Sequence, residues 1–270
     1  MIALPTPFTF SQSSLQDYAD CPRRFQLRYI DQLSWPGIES EPVVENEQRQ
    51  IEGQLFHRLV QQYLLEVPSE NLSPMANTSN LERWWNNFKR GFDGIGELHP
   101  ELTLSSPIGI HRLVAKYDLV AVQGNKAIVY DWKTYAKRPR DEWMSARWQT
   151  RVYRALLVQA GVHLNGGKPF KPEQIEMIYW YADFPSEPAS FKYDADQFKR
   201  DWSVIKKVVE EISNAKEFSL TEDEKMCRFC VYRSHCNRGT QAGQVEEAEA
   251  EMESEAAFDV SFEQIGEIEF

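Results

Sequence analysis

Apolar residues near the start of the chain recur at helical spacing. The segment Ser11–Ser14 supplies N-capping hydroxyls directly before this pattern begins, which predicts the start of a helix. Pro22 suits the first turn of a second helix, which carries Phe25 and Tyr29. The sequence therefore predicts two consecutive helices with Cys21 at their junction.

A longer helix is predicted from Glu47 to Leu65, where apolar residues recur every four positions. The expected apolar face consists of Ile51, Leu55, Leu59 and Tyr63. Gly53 and His57 are stacked one turn apart on the same helix. A loop is predicted at Pro68–Ser79. The next helix carries aromatic residues that we interpret as core rather than as platforms for bases: Trp84, Trp85, Phe88 and Phe92.

The pattern changes to strands at Leu102. Runs rich in β-branched and apolar residues lie at 102–106, 112–122 and 127–134. Pro107 and Gly109 separate the first two runs, and a Gly-Asn pair at 124–125 separates the last two. These turns predict an antiparallel meander.

The second half of the chain mixes helices with one further strand. A helix is predicted from Glu142 to Ala160 and an alternating strand from Ile175 to Tyr181. The last helix should present one apolar face, formed by Phe198, Trp202, Ile205, Val209 and Ile212. The order of elements predicts an α/β (α+β) fold in which helices flank a mixed central sheet.

Composition suits one substantial core, since 42% of the 270 residues are hydrophobic. No run of about 18 apolar residues predicts a membrane span, and the start of the chain lacks the pattern of a secretion signal. We therefore expect a cytoplasmic protein with no membrane partner. In that reducing compartment, clustered cysteines favour metal ligands or buried thiols over disulfides.

Acidic charge is concentrated at the C-terminus. The net charge is −11, and residues 241–270 hold ten Asp and Glu but no Lys or Arg, so the first 240 residues carry a net charge of about −1. We expect a folded domain at 1–240 and a disordered acidic tail at 241–270. The tail is interpreted as a solubilising segment, and a partner-binding or DNA-mimicking role is the alternative.

Two carboxylates are predicted to meet across the last hairpin. If the Gly-Asn pair forms a two-residue turn, Gln123 opposes Lys126 and the same register brings Asp118 opposite Asp131. Opposed Cβ atoms lie about 5 Å apart, and carboxylates that close favour a bridging Mg²⁺ or Mn²⁺. Lys133 should point to the same face, where an ammonium can orient water or stabilise a phosphate. A solvated edge with an ion pair would give the same short pattern.

Further residues could complete such a site. His57 could add an imidazole ligand, and Gly53 would let its helix approach the sheet closely. Gln149 and Tyr153 share a helical face on which they could position a phosphate or a base. Taken singly, a histidine on a helix is more often a surface or core residue.

Four cysteines form a second candidate site. Cys227, Cys230 and Cys236 lie within one short stretch, and Cys21 could join them only if the two ends of the folded chain meet. This three-plus-one arrangement is closer to iron-sulfur ligation than to a zinc finger, although the spacing does not separate the two. Free buried thiols are the other alternative. A metal bound here would act as a staple for the terminal helices.

These motifs together resemble the RecB-like branch of the PD-(D/E)XK nucleases. The resemblance covers nearly the whole chain except the acidic tail and is greatest to the iron-sulfur subgroup, which includes CRISPR-adaptation exonucleases and AddB-type nuclease domains. It follows, in order, the segment 11–25 with Cys21, then Gly53 with His57, Asp118, Asp131-Trp132-Lys133, Gln149 with Tyr153, and the three late cysteines.

The resemblance implies a restriction-endonuclease-like core and roles for individual residues. His57, Asp118, Asp131 and the carbonyl of Trp132 would bind Mg²⁺ or Mn²⁺, and Lys133 would be the catalytic lysine. Gln149 and Tyr153 would lie beside the DNA strand. The four cysteines would hold a 4Fe-4S cluster. The sequence departs from many members by having Asp131 where they have Glu, and by lacking a fused helicase.

The leading hypothesis is a deoxyribonuclease, acting as an exonuclease on single-stranded or frayed DNA in repair, recombination or CRISPR spacer acquisition. Binding would use basic residues near the two sites: Arg23, Arg24, Lys137, Arg138, Arg140, Arg147 and Arg151. One alternative is a non-catalytic, cluster-stabilised scaffold that docks to a helicase or an integrase. A zinc-stapled RNA-processing protein is the other.

Overall fold

The structure is a computed structural model that describes residues 4–33, 43–228 and 230–239. Its helices are α1 (Gln12–Asp20), α2 (Pro22–Phe25), α3 (Val43–Leu64), α4 (Ser69–Leu72), α5 (Ser79–Gly91), α6 (Asp141–Ala146), α7 (Trp148–Ala160), α8 (Ala195–Asn214) and α9 (Lys225–Arg228). Its strands are β1 (Thr9–Phe10), β2 (Glu97–Ile108), β3 (His111–Gln123), β4 (Lys126–Lys133), β5 (Ile175–Tyr181) and β6 (Phe184–Lys192). The expected acidic tail at 241–270 lies outside the described residues.

The strands form one mixed sheet. β3 pairs with β2 and β4 in antiparallel orientation and with the short β1 in parallel orientation. β4 pairs with β5 in parallel orientation, and β6 closes that side as an antiparallel edge. Because parallel strands need a crossover, α6 and α7 connect β4 to β5 across one face of the sheet. The expected helix-flanked mixed α/β architecture is therefore confirmed.

Two apolar cores cover the two faces of the sheet. Residues of α1, α2, α7 and α8 contribute to the larger core against one face, together with inward side chains of every strand. The other core is formed by α3, α4 and α5 with aromatic residues of β4 and β5, and the predicted core residues Trp84, Trp85 and Phe88 are buried there. The catalytic candidates lie on strands between these layers.

Local signals in the sequence predicted several elements correctly. Ser11 caps α1 and forms a reciprocal capping box with Ser14, and Pro22 occupies the first turn of α2. Cys21 lies at their junction in an extended conformation. The meander is confirmed, including the pairing of Gln123 with Lys126 around the two-residue turn.

The predicted apolar face of α3 is correct for Leu55 and Leu59, which pack in the core, and wrong for Ile51 and Tyr63. Ile51 is 50% exposed and Tyr63 is 39% exposed, whereas Phe56 and Val60 are fully buried beside Leu59. Residues four apart advance by about 40° around a helix of 3.6 residues per turn. A run repeated every four positions therefore winds away from the surface that the sheet and α5 cover.

Other boundaries also differ from the prediction. The expected loop at Pro68–Ser79 contains α4 and a 3₁₀ turn at Ser73–Met75. The helix expected at Glu142–Ala160 is interrupted at Arg147, whose ψ of 147° is extended. No proline or glycine marks this break. β2 begins five residues before the predicted run and includes Pro107, and the edge strand β6 was not predicted because its sequence contains two prolines and little alternation.

The described helices include none that is both long enough and apolar enough to cross a lipid bilayer.

Candidate active site

Asp118 lies where strand β3 is distorted. Leu113, Ala115 and Tyr117 face the larger core, but after Asp118 the even-numbered Val120 and Val122 face that same core. The strict alternation of a strand is therefore broken at this point. On the neighbouring strand β2, Glu101 has a φ of 55°, in the left-handed region that is uncommon for residues other than glycine. The register between β2 and β3 places Asp118 opposite Glu101.

The distortion separates β3 from β4 beside Asp118. The ladder follows the predicted register and ends at Leu119 and Tyr130, one pair before Asp118 and Asp131. The backbone N–H of Trp132 donates to the Asp118 carboxylate rather than to a main-chain carbonyl, with N and Oδ2 2.9 Å apart. The two carboxylates are thus neighbours by register without forming a main-chain pair.

Asp131, Lys133 and Gln149 form a closed ring of one ion pair and two hydrogen bonds. The Lys133 ammonium lies 2.8 Å from Asp131 Oδ2 and donates to Gln149 Oε1 at 3.0 Å. Gln149 Nε2 in turn donates to Asp131 Oδ1 at 2.7 Å. Donors surround the amide oxygen and an acceptor faces the amide nitrogen, so the orientation of the Gln149 amide is well defined. We name these three side chains the catalytic ring.

The imidazole of His57 contacts the Asp118 carboxylate next to this ring. His57 Nδ1 lies 3.3 Å from Asp118 Oδ1. Burial by itself lowers the pKa of His57, but the negative charges of Asp118 and Asp131 raise it above its usual value. Burial by itself raises the pKa of Asp118. The imidazole of His57 and the Trp132 N–H outweigh this effect and hold that pKa below its usual value.

Burial also perturbs the Asp131 carboxylate. Burial raises its pKa to about 6 although Lys133 acts in the opposite direction, and the charge of Asp118 adds to the rise. A divalent cation would relieve this repulsion. Carboxylate oxygens with one imidazole also suit Mg²⁺ or Mn²⁺, so the donor set fits such an ion.

The types of donor atom fit Mg²⁺ or Mn²⁺, but their arrangement is a separate question. In the described ranges, no group of three or more His, Cys, Asp and Glu side chains is arranged to hold a metal ion. Both oxygens of Asp131 are bonded within the catalytic ring.

Gly53 brings α3 close to the end of β4. A Cβ atom at this position would lie 3.0 Å from Thr134 Oγ1, which is closer than ordinary contact. The close approach predicted for Gly53 is therefore confirmed. His57, one turn later on the same helix, reaches Asp118.

We expect Gly53→Ala to shift α3 away from the end of β4, because the new methyl group would meet Thr134 Oγ1. Thr134→Ala removes that hydroxyl. The amide chemical shifts of α3 should therefore change in the single variant and return close to the wild-type values in the double variant. Equal changes in the single and double variants would contradict this steric explanation.

The structure also shows where the other predicted binding residues lie. Tyr153 is buried and its hydroxyl donates to the Lys116 carbonyl at 2.6 Å, so it belongs to the core of the protein. The side chain of Arg147 is buried over the Trp143 ring, and Arg151 lies beside the Trp148 ring. Contacts of these residues with DNA remain predictions.

Two residues of this region were not found from the sequence. Tyr179 on β5 is the register partner of Asp131, and Thr150 follows Gln149 on α7. Their side-chain oxygens are 2.7 Å apart. Tyr179 falls in an ordinary buried strand and Thr150 in an ordinary helix, so neither position carries a recognisable local signal.

The four cysteines surround one small cavity. Cys21, at the α1–α2 junction, lines it together with Cys227, Cys230 and Cys236. Arg24 lines the same cavity, and its guanidinium pairs with Asp17 at 2.8 Å and also with Asp20. Arg24 is therefore held inside the protein by two carboxylates. Burial raises the pKa of the three late cysteines, and neighbouring thiols add to the rise.

Backbone and side-chain contacts join the two ends of the domain at this cavity. Arg23 N–H donates to the Ser219 carbonyl at 3.0 Å, and the Tyr232 hydroxyl donates to the Leu33 carbonyl at 3.1 Å. The Arg23 guanidinium donates to Gln26 Oε1 at 2.6 Å. Thiol sulfur is the donor that zinc and iron-sulfur clusters prefer, so the chemistry of the cavity fits either.

The fold and the site define a class: a helix-flanked mixed α/β protein with paired carboxylates and a lysine on adjacent central strands. The family model of the PD-(D/E)XK nuclease superfamily matches residues 9–237, and the chain belongs to that superfamily. None of the curated proteins compared with the chain matches it in sequence.

Two solved structures resemble the chain more distantly. The crystal structure of SSO0001 is 14% identical with a TM-score of 0.41, and the match covers 86% of this chain and 87% of that one. A candidate exonuclease from Eubacterium rectale is 10% identical with a TM-score of 0.47, and the match covers 79% of this chain and 84% of that one. At these levels, the superfamily assignment depends on the family model.

Proposed function

We propose that the protein is a metal-dependent deoxyribonuclease whose active site is the catalytic ring together with the pair His57 and Asp118. The observation that carries this proposal is the ring itself. A buried lysine held between a carboxylate and an amide, directly beside a second carboxylate, is costly unless the charges serve a ligand. Membership of a nuclease superfamily supports a phosphodiester as that ligand.

Asp118, Asp131, His57 and the carbonyl of Trp132 would hold Mg²⁺ or Mn²⁺. The bound cation would neutralise negative charge that develops on the phosphate oxygens during hydrolysis. Lys133 and Gln149 each contact one oxygen of Asp131, and each oxygen keeps a further lone pair with which it could bind the cation.

Lys133 would be the residue that handles the attacking water and the phosphate. Its side chain is 12% exposed, so the ammonium can reach a bound phosphate while the surrounding protein limits competing water. Gln149 would keep the ammonium pointed at the reacting group, since its amide oxygen accepts from Nζ. This role differs from the direct DNA contact that the resemblance implied for Gln149.

We further propose the RecB-like, iron-sulfur branch of the superfamily, with residues 1–240 as the nuclease domain. The four thiols around one cavity support a 4Fe-4S cluster, and zinc is the alternative occupant. The substrate would be single-stranded or frayed DNA, degraded from an end. A helicase or a CRISPR integrase would be the partner, in DNA repair, recombination or spacer acquisition.

The test is cleavage of end-labelled single-stranded DNA by anaerobically purified protein, with Mg²⁺ or Mn²⁺ and with a chelator. Wild type should shorten the strand only when the metal is present, and Asp131→Ala should not. Asp196→Ala, which removes an exposed aspartate of α8, is the matched control and should cleave normally.

Circular single strands and RNA of the same sequence define the specificity. Resistance of the circle supports exonuclease action, and resistance of the RNA supports a DNA substrate. If folded, metal-loaded wild type leaves single-stranded, duplex and flapped DNA as intact as Asp131→Ala does, the nuclease proposal fails. The non-catalytic scaffold then becomes the better explanation.

A further inference from the structure

Tyr179 lies directly beneath the catalytic ring. It is the register partner of Asp131 on the adjacent parallel strand β5, so both side chains point to the same face of the sheet. The Lys133 ammonium is 5.4 Å from the centre of the Tyr179 ring, within the range of a cation–π contact. The side chain is fully buried.

The hydroxyl of Tyr179 has two acceptors within reach. Thr150 Oγ1 is 2.7 Å away and Gln149 Oε1 is 3.4 Å away. Thr150 donates its own hydroxyl proton to the Met144 carbonyl at 2.5 Å, because a carbonyl can only accept. Burial raises the pKa of Tyr179, so its hydroxyl keeps its proton at neutral pH. Tyr179 is therefore the donor to both acceptors in a three-centre bond.

This arrangement anchors the ring to the break between α6 and α7. Met144 lies near the end of α6, and Thr150 lies in the first turn of α7. The extended conformation of Arg147 between them turns the first residues of α7 toward the sheet. The Met144 carbonyl accepts the Arg147 N–H at 3.4 Å, which ends α6, and also accepts the Thr150 hydroxyl. The Met144 carbonyl therefore links Thr150 to the end of α6.

We propose that Tyr179 is a positioning residue, whose hydroxyl holds the Gln149 amide and whose ring underlies Lys133, so that the ammonium is aimed at the reacting phosphate. The inference rests on the proposed nuclease function. Tyr179 touches neither DNA nor a metal ion in this scheme. It acts through Gln149 and Lys133.

Tyr179→Phe tests the hydroxyl while keeping the ring. We expect kcat for single-stranded DNA to fall about tenfold and KM to stay unchanged, because the effect is on orientation rather than on binding. Tyr117→Phe is the matched control. Tyr117 is equally buried and donates to the Tyr153 carbonyl of the same helix α7 at 2.9 Å, away from the ring. It should keep the wild-type kcat.

A double-mutant cycle separates positioning from general loss of structure. In the Gln149→Leu background, Tyr179→Phe should lower kcat by less than about twofold further, because its route to Lys133 is already gone. Tyr117→Phe should have the same small effect in both backgrounds. If the effects of Tyr179→Phe and Gln149→Leu multiply fully, Tyr179 does not act through Gln149 and the proposal is overturned.

A second readout does not depend on catalysis. With ¹⁵N-labelled glutamine side chains, the signal that disappears in Gln149→Leu identifies the Gln149 amide. Its hydrogen exchange should be slow in wild type and in Tyr117→Phe, and at least about fivefold faster in Tyr179→Phe. Equal exchange in Tyr179→Phe and wild type overturns the proposal. If the variants show the expected exchange but wild type never cleaves DNA, the nuclease function is refuted. The hydrogen bond from Tyr179 to Gln149 would still be supported.

Discussion

Lys133→Met is expected to lower the rate of DNA cleavage by about a thousandfold without weakening the binding of the divalent cation. A positioned ammonium that stabilises charge in the transition state contributes on that order. Methionine keeps much of the lysine stem and its burial but removes the charge 2.8 Å from Asp131 Oδ2. The loss should therefore fall on kcat.

The same variant should bind Mn²⁺ about fivefold more tightly than wild type, because a competing positive charge has left the two carboxylates. Lys133 lowers the pKa of Asp131, which burial has raised to about 6, so its removal raises that pKa further. Calorimetric titration at about pH 8 keeps the carboxylate ionised. Lys126→Met, an exposed change on the same strand, is the control. Weaker Mn²⁺ binding in Lys133→Met would show that the lysine organises the metal ligands.

Under the proposal of a metal bound by the four cysteines, Cys21→Ser is expected to abolish metal binding at the cavity and to destabilise the domain by at least about 3 kcal/mol. Metal binding at such a site contributes directly to the free energy of unfolding. Cys21 is the thiol from the N-terminal side of the fold, whereas the others come from one segment near residue 230. Its loss should therefore release that segment.

The measurements are iron and zinc content, visible absorption under anaerobic conditions, and the free energy of unfolding in denaturant. Proteolysis should cut the region after α8 faster in the variant. Met226 lines the same cavity, so Met226→Leu changes the lining without changing a thiol. This control variant should keep the metal content and the stability of the wild type. Full metal content and unchanged stability in Cys21→Ser would refute the staple and favour free buried thiols.

The hairpin register shows how far local signals reach. A Gly-Asn turn determines pairing over the next few residues, and the ladder from Gln123 and Lys126 to Leu119 and Tyr130 follows it. The prediction weakens at Asp118, where Glu101 on β2 adopts a left-handed conformation and the strand loses its alternation. Glu101 is 17 residues away from Asp118 in sequence, beyond the reach of the turn signal.

The role of Gln149 depends on contacts that sequence reasoning could not supply. The resemblance identified the residue but implied that it lies beside DNA. In the structure its amide bridges Asp131 and Lys133, and its position beside DNA stays a prediction. The break at Arg147 and the partner Tyr179 both contribute to this geometry, and neither position has an unusual composition around it.

The amino-acid sequence alone determines the capped helices, the hairpin register and the identity of the candidate carboxylates and thiols. These follow from turn chemistry, capping and periodicity, which act over a few residues. Only the tertiary structure decides which face of α3 is buried, that Cys21 shares one cavity with three thiols some 200 residues later, and that Lys133 is held between Asp131 and Gln149. These outcomes depend on which surfaces of distant segments meet, and burial then selects among side chains that look equivalent along the chain.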